Sequence, residues 1–294
     1  MGFFLVMKAE LVRTFIIMRR YWFRTITGMF IGYMMLLMLV LGFMHRGRDV
    51  GAMADKLSDA ETATNWALGF IIGMFAFGIV GMFTQGLQQL AQSGQLEQLC
   101  MSPHGLVTNF LARTAVSSVT SIFTSALMVW LIAKTVGGTL HADFPATAAL
   151  LALTFLNLIG FGFMVGGLVL VFKQTGQVAV LIRLALFALA ILATDKIDKL
   201  HPIFRWAAHS LPITDAAICL KYVLIQGQMR PTLDGAGQAV LNTAGEPQLY
   251  AMSVFAHPSF FFLLVSCVVW TVIGISCFRF MENWSRDKGT LGAY

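Results

Sequence analysis

Six long apolar runs dominate this sequence, at roughly Ile26–Met44, Trp66–Phe83, Thr114–Val136, Ala148–Phe172, Val178–Thr194 and Phe260–Phe278. Each is near the ~20 residues that a helix rising 1.5 Å per residue needs to cross the hydrocarbon of a bilayer. Lipid offers backbone amides no partner, so a crossing segment must satisfy them internally, as a helix does. The runs therefore predict an all-α membrane protein with six transmembrane helices.

Composition agrees. The chain is 57% hydrophobic and only 12% charged, with a mean hydropathy of +0.76, and a soluble domain of that size could not cover so much apolar surface. The runs recur from end to end with no Pro/Ser-rich linker, which predicts one membrane domain. Cys100, Cys219, Cys267 and Cys277 form no Cys-x-x-Cys pair and mostly sit in or beside apolar runs, where a thiol acts as a small hydrophobe. The formal charge of +6 is spread over span ends and does not form a basic stripe with stacking aromatics, so nucleic acid is not an expected partner.

Ahead of the first run, Leu11, Phe15, Met18 and Trp22 recur at helical spacing, with Glu10, Arg13, Arg20 and Arg24 on roughly the opposite side. Residues 1–25 thus read as an amphipathic helix lying in the membrane interface. They lack the small-residue cleavage site of a signal peptide, so the segment is expected to be retained. Residues 26–294 read as the six-span domain.

Charge sets its orientation. The amino end, Thr84–Arg113, Lys173–Gln177 and the tail, residues 279–294, share one side of the membrane and carry Lys8, Arg13, Arg19, Arg20, Arg24, Arg113, Lys173, Arg183, Arg279, Arg286 and Lys288 against few acids. On the other side, His45–Asn65, Gly137–Phe144 and a long loop over residues 195–258 have nearly balanced charge. Because cytoplasmic segments near span ends collect Lys and Arg, both termini are expected in the cytoplasm.

Within the long external loop, Ile203–Leu211 and Thr214–Leu224 are mainly apolar but too short to cross. Pro202 opens the first, and Thr214 is placed to N-cap the second. They read as a re-entrant or surface-lying helical pair whose turn, around Pro212, must face protein or water.

The most informative polar stretch is Gly94-Gln-Leu96-Glu97-Gln-Leu99-Cys-Met-Ser102-Pro103, cytoplasmic and between the second and third spans. Ser102 and Pro103 suit the N-cap and first position of a helix. On the residues alone the stretch reads equally as a short amphipathic loop helix or as a docking element. Its order resembles the coupling-helix region of the ABC type-2 exporter permeases, a bacterial family that includes drug, lipid and polysaccharide exporters. The resemblance covers nearly the whole chain: the amphipathic amino-terminal helix, six spans, the turn Leu211-Pro212-Ile213-Thr214, and a basic tail after Trp270, Gly274, Phe278 and Arg279.

What the resemblance implies is a permease in the bacterial inner membrane that dimerises with a second copy or a related permease, on two separate ATPase subunits. Leu96, Glu97, Leu99, Ser102 and Pro103 would seat in the ATPase and transmit nucleotide-driven closure, and the short external pair would be the family's re-entrant helices. The chain has no Gly-x-x-x-x-Gly-Lys-Ser/Thr phosphate loop, so ATP and Mg are expected on the partner, with no cofactor in this chain. The long loop Gln226–His257 departs from the polysaccharide-exporting members.

Arg183 falls one to two turns inside the fifth span, where a cation must snorkel or face water. The sharper reading has it facing an inner vestibule with Gln85, Gln88, Gln89 and Gln92. Gln85, Gln89 and Arg183 are therefore the candidate path residues. His45, His141, His201, His209 and His257 lack the spacing of a metal-ligand set, so no metal is expected. The Asn283-Trp-Ser285 sequon falls on the cytoplasmic side and is expected to stay unused. The function expected is export of an amphiphile such as a drug, a lipid-linked compound or a hydrophobic peptide. A stand-alone secondary transporter or channel is the alternative, but the spans hold no acidic residue and show no clear repeat. No nucleophile and base motif suggests an enzyme.

Overall fold

A computed structural model describes residues 2–46, 60–100, 105–136, 141, 143–172, 176–193, 197, 201–231 and 249–287. Its helices are α1 (Gly2–Arg20), α2 (Trp22–Arg46), α3 (Ala60–Gln92), α4 (Gln95–Cys100), α5 (Gly105–Val136), α6 (Phe144–Phe172), α7 (Gly176–Leu192), α8 (Pro202–Ser210), α9 (Thr214–Leu224) and α10 (Pro258–Asp287). Two three-residue strands, β1 (Met229–Pro231) and β2 (Leu249–Ala251), pair antiparallel beside α9. Residues 232–248, between the strands, lie outside the described residues.

Every apolar run is helical over its described residues, save Ala193 just past the end of α7. Among the described residues four helical segments are long and apolar enough to cross a membrane, Thr64–Gln92, Gly105–Leu131, Phe144–Val169 and Pro258–Ser285, while Trp22–Met38 and Gln177–Leu192 are shorter apolar helices. The protein is thus an all-α, multi-pass membrane protein.

α3 is the hub. Its residues Phe75, Ala76, Ile79, Val80, Phe83 and Leu87 are buried among α5, α6 and α7. Glycines permit this. Without water to drive helices together in lipid, close packing of small residues does so, and an added Cβ at Gly69 would meet the α7 backbone at 2.9 Å. On α6, Gly162 and Gly166 sit four residues apart and receive Phe83 and Leu87 of α3. The tightest crossing is α6 on α10. A Cβ at Gly160 would come within 2.5–2.6 Å of the Trp270–Thr271 backbone, and one at Gly274 would run into the Gly160 carbonyl. Around that crossing, Phe161 and Trp270 pack edge to face, as do Phe163 and Phe278.

The amino end is looser. α1 and α2 meet at Tyr21 with the helical hydrogen bonds nearly continuous through it, since the Tyr21 amide donates to the Ile17 carbonyl and Thr25 N–H to the Tyr21 carbonyl. Leu11, Phe15, Met18 and Trp22, the apolar side read from the sequence, remain exposed among the described residues, and a membrane interface suits them. α2 touches the bundle through a small separate core at Leu36, packed on Ala67, Phe70 and Ile71 of α3.

Candidate functional site

α3 runs on past the apolar run, through Gln85 and Gln89 to Gln92, because glutamine is a good helix former whether or not lipid surrounds it. This carries Gln85 and Gln89, one turn apart, to the rim of a cavity of about 320 Å³. α5 contributes Phe110, Arg113, Thr114 and Ser117, and α7 contributes Arg183. Gln85, Gln89 and Arg183 therefore share one chamber, while Gln88 and Gln92 lie outside its lining.

Arg183 does not stretch along α7 toward the interface. It crosses to α3 and is only 5% exposed. Its Nε donates to the Phe77 carbonyl at 3.0 Å, and the guanidinium carbon lies 3.7 Å from the Phe77 ring centroid. Gly81 makes the space, because a Cβ there would meet Nη2 at 2.6 Å. The ring face and the carbonyl both stabilise a cation away from water.

Two further cavities share walls with the chamber or with each other. Gly78, Met82 and Ser117 also line a groove of about 900 Å³ between α1 and α2 on one wall and α3 and α5 on the other. Ile71, Phe75 and Ser125 are shared in turn by that groove and an apolar cavity of about 430 Å³ lined by α3, α5, α6 and α9. Along α3 and α5 the lining changes from Arg and Gln, to Ser and Thr, to Leu, Ile, Val and Phe.

α4 hangs directly below α3. Gly94 and Gly105, at φ +70° and +69°, bracket it with left-handed backbone that a side chain would strain. Leu99 packs partly against the core. Leu96 and Glu97 belong to α4 by backbone, with side chains outside the described set, and Ser102 and Pro103 lie outside the described residues.

On the opposite side, α8 and α9 form the short pair expected from the sequence, but Thr214 is not the cap. Ile213 takes the cap position, where its hydrocarbon side chain can make no cap bond, and Thr214 is fully buried as the first helical residue. The turn at Pro212 is satisfied by a residue the sequence did not single out. Asn157, buried in α6, donates through Nδ2 to the Pro212 carbonyl at 3.0 Å. Trp270 Nε1 donates to the Ser210 carbonyl at 2.9 Å, and His209 Nδ1 lies 2.8 Å from Asp215 Oδ1.

Lys221 is the second unforeseen group. From α9 it reaches the end of α7, and Nζ donates to the carbonyls of Ala190, Ile191 and Ala193 at 3.1, 3.1 and 2.8 Å. A helix leaves its last carbonyls without intrahelical partners and collects partial negative charge there, so an ammonium is a fitting cap. Burial pushes its pKa down to about 8. Among the described residues, no three His, Cys, Asp or Glu side chains gather to hold a metal ion.

A family model described as an ABC-2 family transporter protein matches residues 49–276. The chain belongs to that family. No curated protein matches it. The matched stretch includes α3, α4, the α8–α9 pair and most of α10, so the chamber and the segment below it lie inside the ABC-2 region. α1 and α2 precede the match. The chain is accordingly a membrane subunit of an ABC transporter.

Proposed function

We propose that this ABC-2 chain is the six-span permease subunit of an ATP-driven exporter in a bacterial inner membrane, with both termini cytoplasmic. Residues 1–25 serve as the interface helix and residues 26–294 as the transmembrane domain. Two permeases assemble on two separate ABC ATPase subunits, which bind ATP and Mg, and α4 together with Ser102 and Pro103 is the part the ATPase grips. A two-fold dimer lets closure of the ATPase pair change the seam between permeases, which is how a chain without a phosphate loop can respond to nucleotide.

One observation carries this reading. The helix that lines the chamber with Gln85 and Gln89 is the helix that carries α4, with only Ser93 and Gly94 between them. Movement of α4 is therefore delivered to the chamber through α3 itself.

The test is to purify the chain with the ATPase encoded beside it and compare the wild type with Glu97→Lys. The variant is expected to remain folded and to hydrolyse ATP without transport. Normal transport by the variant, transport by the chain alone, or failure of any ATPase to associate would each overturn the proposal.

A further inference from the structure

We infer that the cargo is an anionic amphiphile, its acidic head held by arginines in the chamber and its tail lying in the lateral groove. This rests on the permease reading and names the substrate class for the same site. Arg113 and Arg183 line the chamber, Arg24 lines the lower part of the groove, and among the described residues no carboxylate lines either one. Arg183 is buried and spends one donor on a neutral carbonyl. No ion pair to it occurs among the described residues. A buried cation facing a cavity without an acid is costly, and an arriving anion relieves that cost. Arg also matches the planar, several-oxygen geometry of phosphate and carboxylate.

α5 adds a ladder above Arg113. Ser117, Ser121 and Ser125 follow it at four-residue steps, so the four side chains climb one side of the helix over ~18 Å. Thr120 and Thr124, also in the groove, donate their hydroxyl protons to the Val116 and Thr120 carbonyls of their own helix. The three serine hydroxyls form no hydrogen bond with the described residues, so their donors are free for an anion passing upward. Opposite the ladder the walls are soft and apolar, with Met29, Met74 and Met82. Gly28 and Gly32 of α2 leave open space beside it. A polar rail with an apolar, open flank fits a head that travels in protein while its chain stays in lipid.

The test uses full-length protein in phosphatidylcholine nanodiscs, without the ATPase. Ser121→Cys is labelled with a maleimide, and the unsubstituted protein supplies the background of native thiols. Dodecyl phosphate should slow labelling at a concentration at least about tenfold lower than dodecyltrimethylammonium or dodecyl maltoside, the difference one well-placed charge contact makes. Inorganic phosphate should not slow it, and Arg113→Gln should erase the preference. A cysteine at Val119, which is 65% exposed on the other side of α5, should label at the same rate in all cases.

Equal protection by the three amphiphiles, stronger protection by the cation, protection by phosphate ion alone, or no protection would each overturn the inference. Glu97→Lys reads ATPase coupling and not cargo, so loss of anion preference with intact coupling removes only the substrate class.

Discussion

Replacing Lys221 by Met removes an ammonium while keeping a side chain of similar length and volume, which isolates its role as cap of α7. Three carbonyls lose a charged donor, each bond worth roughly 1.5 kcal/mol at the low end. Against this stands relief of burying the charge, which burial reports by moving the pKa from 10.5 to about 8; that interval is worth about 3 kcal/mol. The hydrogen bonds win, for a net loss of about 1 kcal/mol.

Such a loss lowers the melting temperature by roughly 2–4 °C in a chain of this size. Cys219 and Cys267 are buried in α9 and α10, so a dye that fluoresces on reacting with thiols reports unfolding of the purified protein in nanodiscs. The pH dependence supplies a second reading. Because the folded-state pKa lies below the unfolded one, between pH 8 and 10.5 the folded protein binds fewer protons than the unfolded chain. Wild-type stability therefore rises as pH climbs through that window and is insensitive to this group below it. Lys221→Met should abolish the rise. If the variant melts within 1 °C of wild type at about pH 7 and the two pH profiles coincide, the capping argument is wrong.

Two further substitutions test the packing. Gly274→Ala places a methyl group against the Gly160 carbonyl; forcing α6 from α10 should cost about 3 kcal/mol, visible as a lower melting temperature by the same thiol assay, whereas Gly28→Ala, which meets nothing within 4 Å, should leave it unchanged. Asn157→Leu leaves the Pro212 carbonyl without its donor. A loss of about 2 kcal/mol is expected, together with faster proteolysis at the α8–α9 turn, and wild-type protection there would refute the latch.

Much of this architecture was legible in hydropathy, because the requirement that lipid-exposed backbone satisfy itself turns any long apolar run into a helix. Helix ends were not. α3 was expected to stop near Phe83 and α6 to begin at Ala148, yet they reach Gln92 and Phe144, since hydropathy marks where lipid ends and hydrogen bonding marks where a helix does. The apolar runs of α2 and α7 are visible in sequence, but the described apolar stretches Trp22–Met38 and Gln177–Leu192 are shorter than the other four.

The site divides the same way. Arg183 was conspicuous because a charge in an apolar run must be explained, and its neighbours Gln85 and Gln89 stood out as a polar helix end. Asn157 and Lys221 were silent. Their partners lie 55 and about 30 residues away, and nothing local in a sequence says which carbonyl a lone amide or ammonium will reach. The serine ladder was hidden for another reason, since hydroxyl residues in a membrane helix most often bond their own backbone, as Thr120 and Thr124 do.

The glycine seams of α3, α6, α7 and α10 and the loose seat of α2 divide the molecule into a part that cannot change and a part that can. A single methyl group is enough to jam the first, whereas a methyl group at Gly28 or Gly32 meets nothing within 4 Å. Substitutions should therefore be tolerated on the α2 wall of the groove, where new side chains change its shape without touching what holds the helices together. The groove can vary while the helical frame stays fixed.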